Sequence, residues 1–217
     1  MKIDSELQRD VMTELFWEPS IKSAEIGVSV TDGVVTLNGF VDSVYRKWTA
    51  EHAAARVFGV KSVTNKIQVK LPSSLKRSDE ELTRAALDAL EWNVGVPHEL
   101  IKVHVQDGAI TLSGEVNWWY QKDAAEDTVR KLVGIAFLNN RIIIKSIVEP
   151  QDVKDQIESA FQRNALLDAR RITVETQGGK VILRGSVRNW AEREQVHWAA
   201  WAAPGVSEVE SHIEFSP

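Results

Sequence analysis

The 217-residue chain has an ordinary globular composition, with 43% hydrophobic and 26% charged residues and a formal net charge of −5. Cysteine is absent, which excludes disulfides, thiol catalysis and thiolate metal sites. None of the three parts defined below carries a net positive charge, so we expect no nucleic-acid partner. No apolar run approaches the roughly 18 residues of a membrane-spanning helix, so we expect no transmembrane segment.

The N-terminal sequence MKIDSELQRD lacks the apolar region of a secretory signal peptide. We therefore expect a cytoplasmic protein if Met1 is the native start. A mature periplasmic protein given a new initiating methionine would have the same sequence, so a periplasmic location is the alternative.

The first predicted element is an amphipathic helix over about residues 4–17. Two strands with alternating apolar residues follow, and Asp32-Gly33 between them predicts a tight hairpin because such a turn needs positive φ. The apolar period then changes to that of a helix, with small residues on one face: Ala50, Ala53, Ala54 and Val57. A last alternating strand, ending near Val69, completes the unit.

The same order of elements appears twice more. The hairpin sequence VTDGVVTLNGFV at 30–41 is matched by VQDGAITLSGEV at 105–116 and by TQGGKVILRGSV at 176–187. Linkers fall at Pro72-Ser73-Ser74 and at Glu149-Pro150. The sequence thus predicts an α+β protein of three tandem αββαβ modules, each with a three-stranded mixed sheet and two helices on one face. The predicted modules are residues 1–72, 73–149 and 150–217.

One glycine recurs at the same place in each hairpin, at Gly39, Gly114 and Gly185. The alternation of the second strand points this position toward the helix-covered face of the sheet. We interpret the three glycines as structural, allowing close approach of a helix or marking a bulge. We expect a side chain there to push the helix off the sheet or to strain the strand.

These glycines with their hydrophobic frame, in TLNGFV, TLSGEV and ILRGSV, resemble the BON domain. A second glycine–hydrophobic pair recurs in each module and supports the resemblance: Gly59-Val60, Gly134-Ile135 and Gly205-Val206. The chain is similar to bacterial tandem-BON proteins, which include osmotically induced, transport-associated periplasmic proteins. The resemblance implies a stress-related, non-enzymatic module associated with phospholipid or envelope components, and some relatives bind potassium.

Nothing in the sequence predicts catalysis, a cofactor or a metal site. No two of the five histidines have a short helical spacing such as His-x-x-x-His, which would place two imidazole ligands on one helix face. No Gly-x-Ser-x-Gly nucleophile motif and no phosphate-binding glycine loop is present. We therefore expect a protein that is not an enzyme.

Tryptophan is frequent, with eight in the chain. Helical geometry places three of them on the back of second helices, and an aromatic cluster begins the second helix of the middle module at a loop tip. The binding candidates are Trp118, Trp119 and Tyr120 first, then Trp48, Trp198 and Trp201. Packing between modules or in a homo-oligomer, a protein partner and a lipid interface are the alternative roles of these side chains. Trp17 and Trp92 end first helices at matching places, which favours packing in the core or linker.

Two functional hypotheses follow from these observations. The first is a multivalent binding protein, related to stress, that engages a phospholipid surface or an envelope component. The second is a cytoplasmic scaffold for protein interactions or an ion-sensing module of the potassium type.

Overall fold

The computed structural model describes residues 2–145, 150–164 and 169–216. Within these residues the order helix–strand–strand–helix–strand occurs three times. A short 3-10 turn precedes each hairpin, at Ser23–Glu25, His98–Leu100 and Ala169–Arg171. The elements are α1 Asp4–Trp17, β1 Ile26–Thr31, β2 Val34–Val41, α2 Val44–Ala55 and β3 Ser62–Val69; α3 Asp79–Glu91, β4 Ile101–Gln106, β5 Ala109–Val116, α4 Trp119–Arg130 and β6 Phe137–Ile144; and α5 Pro150–Arg163, β7 Ile172–Gln177, β8 Lys180–Val187, α6 Trp190–Trp201 and β9 Glu208–Phe215.

The strands form three separate sheets, with orders β1-β2-β3, β4-β5-β6 and β7-β8-β9. In the first and third sheets the hairpin is antiparallel and the last strand runs parallel to the central one. The parallel pairing requires a crossover, which α2 and α6 provide. The predicted α+β fold of three αββαβ modules is confirmed, whereas the module boundaries near residues 72 and 150 stay a prediction.

The chain divides into two compact units. The first unit contains Met1–Asp88, Val103–Thr111 and Val129–Asn139. The second contains Ala89–Lys102, Leu112–Thr128 and Asn140–Pro217. The first module therefore lies within one unit and the third within the other, while the middle module contributes to both.

A single apolar core holds the first module together. Leu7, Val11 and Leu15 form one buried stripe along α1, because residues four apart lie on the same helix face. This stripe packs with buried strand residues and with the small face of α2, and alanines there let the helix lie close to the sheet. The third module repeats this core with Val153, Ile157 and Phe161 of α5, Val181 and Leu183 of β8, and Val196, Ala199 and Ala200 of α6.

A carboxylate at the start of the first helix fastens the hairpin turn in two modules. The Asp4 carboxylate accepts hydrogen bonds from the backbone N–H groups of Asp32 and Gly33, at 2.8 and 3.1 Å. The Asp79 carboxylate accepts the equivalent pair, from Asp107 and Gly108, at 2.9 Å each. These bonds fix the first helix at its N-terminal end against the turn, where two N–H groups otherwise lack a partner within the hairpin.

The recurrent glycine is required by a neighbouring backbone rather than by a helix. Gly39 has a φ of 128°, and a Cβ atom there would lie less than 3.0 Å from the carbonyl oxygen of Glu25, at the end of the 3-10 turn. The positive φ agrees with the strand strain that we expected of a side chain here, whereas the nearest atoms belong to the backbone of Glu25 and Ile26 and not to a helix, so the expected helix contact was wrong. The clash recurs at Gly114 with Leu100 and at Gly185 with Arg171, and both glycines also have a positive φ.

We predict that Gly39→Ala lowers the free energy of unfolding by roughly 2–4 kcal/mol, because it combines backbone strain with overpacking. The matched control is Gly27→Ala, since Gly27 pairs with Asn38 in the same hairpin and a Cβ there meets only the Asn38 carbonyl oxygen, at 3.9 Å. Urea unfolding of the two variants beside the wild type measures the difference. Equal stability of the two variants would show that the close approach of the Glu25 carbonyl group to Gly39 does not restrict which residue can occupy position 39.

Candidate functional site

The aromatic cluster of the middle module lies where α4 begins. Gln121 orders this loop, because its side-chain oxygen accepts hydrogen bonds from the backbone N–H groups of Asn117 and Trp118, at 3.1 Å each. Tyr120 is 53% exposed, whereas Trp118 and Trp119 are half-buried. The Trp119 ring stacks on that of Trp201, with 5.4 Å between the ring centroids. Trp119 therefore joins the middle and third modules, whereas Tyr120 is the exposed member of the cluster and Trp118 is half-buried without a ring contact to the described residues of the third module.

Trp48, on the back of α2, also makes a contact between modules. Its ring stacks on His52, with ring centroids 3.9 Å apart, and the guanidinium of Arg130 lies 4.3 Å from the Trp48 ring centroid. Arg130 ends α4 and is only 5% exposed. A cation held against an aromatic face at such low exposure contributes more than at an open surface. Trp48 thus has a packing role between the first and second modules.

The two tryptophans on the back of α6 differ. Trp201 is half-buried and packs against the third module's core as well as against Trp119. Trp198 is 63% exposed. The packing contacts of Trp48, Trp119 and Trp201 leave Trp118, Tyr120 and Trp198 as the candidates that a partner can reach.

The structure also exposes aromatic residues that we expected to be packed. Trp17 at the end of α1 is 75% exposed, and Trp92 just after α3 is 89% exposed. Our interpretation of these two residues as core or linker was wrong. Trp17 falls outside the buried stripe of Leu7, Val11 and Leu15 in α1. The helical period of the first helix therefore contains the signal that places Trp17 on the exposed face.

A half-buried polar contact ties the second helix to the last strand in two modules. Asn65 donates to the backbone carbonyl of Lys47 at 2.9 Å and to the Glu51 carboxylate at 3.0 Å, and its side-chain oxygen accepts from the N–H of Ile67. Asn140 makes the same three contacts in the middle module, with Lys122, Glu126 and Ile142.

The third module lacks this contact. Ser211 and His197 occupy the positions of the Asn and the Glu. The Ser211 hydroxyl oxygen and the His197 Nε2 are both buried, and neither has a hydrogen-bond partner among the described residues. Burial, together with the nearby Arg193 guanidinium, lowers the pKa of His197 below its usual value. The third module therefore holds a polar histidine in a place that favours its neutral form.

No metal site or transmembrane helix emerges from the described ranges. Among these residues, His, Asp and Glu side chains do not gather in any group of three or more that is suited to a metal ion. Likewise, none of the described helices combines the length and the apolar character needed to cross a bilayer.

Sequence comparison defines the family. The BON domain profile matches residues 3–70, 78–146 and 151–217, and the chain belongs to the BON-domain family. The osmotically-inducible protein Y of Escherichia coli strain K12 is 33% identical over 146 residues, which cover 65% of this chain and 73% of that protein.

Solved structures show more distant likenesses. CdsD, a structural protein of the type III secretion system of Chlamydia trachomatis, is 16% identical, with 98% of this chain and 93% of that chain covered and a TM-score of 0.28. The PrgH periplasmic domain is 12% identical, with 89% and 96% covered and a TM-score of 0.24.

We predict that acidification destabilises the third module through His197. Because the native environment lowers the pKa of His197, the unfolded state binds more protons once the pH falls below about 6.5, so stability is lost as the pH decreases. Hydrogen exchange of the β7–β9 sheet between pH 8 and pH 5 measures this locally. His197→Gln should flatten the pH dependence, whereas the control His104→Gln, at an exposed position of the middle module, should leave it unchanged. A slope that is the same in wild type and His197→Gln contradicts the assignment.

Proposed function

We propose that the chain is a non-enzymatic, stress-related binding protein that engages a phospholipid surface or a similar envelope component through exposed aromatic residues. The observation that carries the proposal is the exposure of Trp17 and Trp92, at 75% and 89%. They occupy equivalent places at the ends of the first helices in two modules. The stress relation is supported by likeness to a protein named for osmotic induction.

An exposed tryptophan is suited to an interface between water and an apolar phase. The ring is apolar and large, while its N–H group stays satisfied on the wet side. Neighbouring side chains extend the apolar surface at both places: Phe16 is 75% exposed beside Trp17, and Val94 is fully exposed close to Trp92. Apolar residues grouped in this way on a surface indicate a binding site more strongly than the same residues scattered singly.

Repetition adds strength to weak contacts. A single aromatic tip gives marginal affinity, but linked sites that bind one surface gain roughly 10²–10⁴ in avidity when the geometry lets them engage together. The three modules also carry other reachable aromatics, Tyr120 and Trp198. The function therefore follows from the repeat itself and needs no deep pocket.

The net charge of the chain indicates which kind of lipid surface it would bind. The chain carries a net charge of −5, and none of its modules has a net positive charge. Electrostatic attraction to an anionic leaflet is thus not the main source of binding. We expect the aromatic contacts to act on neutral lipid and to persist in salt, because apolar burial is not screened.

We predict that Trp17→Ala with Trp92→Ala weakens binding to neutral phosphatidylcholine vesicles by roughly tenfold or more, and that each single variant shows a smaller loss. Co-sedimentation with sucrose-loaded vesicles gives the bound fraction. Trp118→Ala with Tyr120→Ala forms a second arm that tests the middle-module cluster in the same way. Salt at about 0.5 M should leave wild-type binding intact.

The matched control is Leu87→Ala, which removes a 48% exposed apolar side chain from α3, away from its end. It should bind as the wild type does. Full binding by both double variants, or binding that requires anionic lipid and disappears in salt, would refute an aromatic contact with lipid.

A second candidate function, a scaffold for other proteins, is favoured by the contacts on the back of the second helices. Trp48 and Trp201 both meet side chains of another module there. Trp198 also lies on the back of a second helix, but its side chain is 63% exposed. The surface around Trp198 is therefore the place where a protein partner would bind.

A further inference from the structure

A groove of about 660 Å³ runs between the two helices of the third module. Its apolar lining consists of small residues, among them Ala160, Ala199 and Ala203, and Trp198 stands beside them. Asp155 lines the groove toward the N-terminal end of α5, and Arg163 lines it at the last residue of that helix. Uncharged polar side chains complete the lining, namely Gln156, Ser159, Asn164 and Gln195. The groove thus has a mixed wall with an alanine patch, and a charge of opposite sign lies toward each end.

The first module has long ionic side chains at the same place. Arg56 of α2 pairs with Glu14 of α1 at 3.0 Å and approaches Glu18 at 3.8 Å. In the third module the three equivalent positions hold Ala202, Ala160 and Asn164, all of which line the groove. Replacement of an arginine and two glutamates by shorter side chains therefore opens the space between the helices.

A matching helix face occurs in the first module of the same chain. Met12 and Phe16 lie one turn apart on α1, and they are 53% and 75% exposed on the side away from the buried stripe. The equivalent positions of α5 hold Glu158 and Gln162, which are polar. In the first module, therefore, the helix face is apolar and the groove is filled. In the third module the helix face is polar and the groove is open.

We propose that α1 of one copy docks into the α5–α6 groove of a second copy. Small alanines let a third helix approach closely, since the distance between packed helix axes is set by the side chains at the contact. The Met12 and Phe16 side chains would cover the alanines and the exposed ring of Trp198.

Charge sets the direction of the docked helix. A parallel arrangement of α1 and α5 brings Arg9 toward Asp155 and the Phe16 ring toward the Arg163 guanidinium, a cation–aromatic pair. The two spans agree, because at 1.5 Å per residue Arg9 to Phe16 covers roughly 10 Å and Asp155 to Arg163 roughly 12 Å. The contact is heterologous, since two different surfaces meet, and such contacts generate either closed rings or open chains.

The proposal shares Phe16 with the apolar surface beside Trp17, so self-association is measured without lipid, and the groove variant below leaves the Trp17 surface intact. The test is sedimentation velocity of the full chain over a range of concentrations, in the absence of lipid. The wild type should show a mass that rises with concentration. A wild type that stays monomeric throughout overturns the proposal, and vesicle binding is then still tested by its own variants.

Two variants block the two surfaces separately. Ala160→Glu with Ala202→Arg rebuilds the ionic side chains of the first module inside the groove, and Met12→Ser with Phe16→Ser removes the apolar helix face. Each should weaken self-association by tenfold or more, a loss of about 1.4 kcal/mol. Ala202→Arg alone, at an exposed position, provides a groove variant that is safe for folding.

Mixing the two double variants is the decisive step. The groove variant retains an intact α1 and the helix variant retains an intact groove, so the mixture should form a one-to-one complex at concentrations where each variant alone is mainly monomeric. Failure of the mixture to associate, or association of either variant as strong as that of the wild type, overturns the assignment.

Discussion

Each module depends on one close contact between two backbone segments, the 3-10 turn before the hairpin and the central strand of the sheet. We call this contact the crossing. The 3-10 turn before the hairpin places its last carbonyl over the glycine of the central strand, at Gly39, Gly114 and Gly185. This crossing sets where the first strand begins, and the strand in turn fixes the direction from which the first helix arrives. The carboxylates of Asp4 and Asp79 then hold that helix against the hairpin turn. A positive φ and the absence of a Cβ are both needed at the crossing, and only glycine supplies the two together at low cost.

On this common frame, the modules differ at positions that do not affect the crossing. The ionic group of Arg56, Glu14 and Glu18 in the first module is replaced by small side chains that open a groove in the third. The half-buried contact of Asn65 with Glu51 is replaced by Ser211 and His197, whose buried polar atoms lack a partner among the described residues. The repeats therefore share a backbone while each module presents its own surface chemistry.

Aromatic residues serve two different purposes on these surfaces. Where a side chain of another module reaches them, as Arg130 reaches Trp48 and Trp119 reaches Trp201, they join modules of about seventy residues whose single cores bury limited surface. Where nothing in the described structure covers them, as at Trp17, Trp92 and Trp198, they remain available to a partner.

The sequence by itself determined the repeat, the order of elements and which strand residues face the helices, because alternation and helical period report which face of an element is buried. It also located the recurrent glycine, since three copies in register mark a backbone requirement. Only the tertiary structure decided three other features: which backbone segment requires the glycine, the stack of Trp119 on Trp201, and the exposure of Trp17 and Trp92. Periodicity describes one element at a time, whereas each of these features depends on which distant segment lies against it, or on whether any segment does.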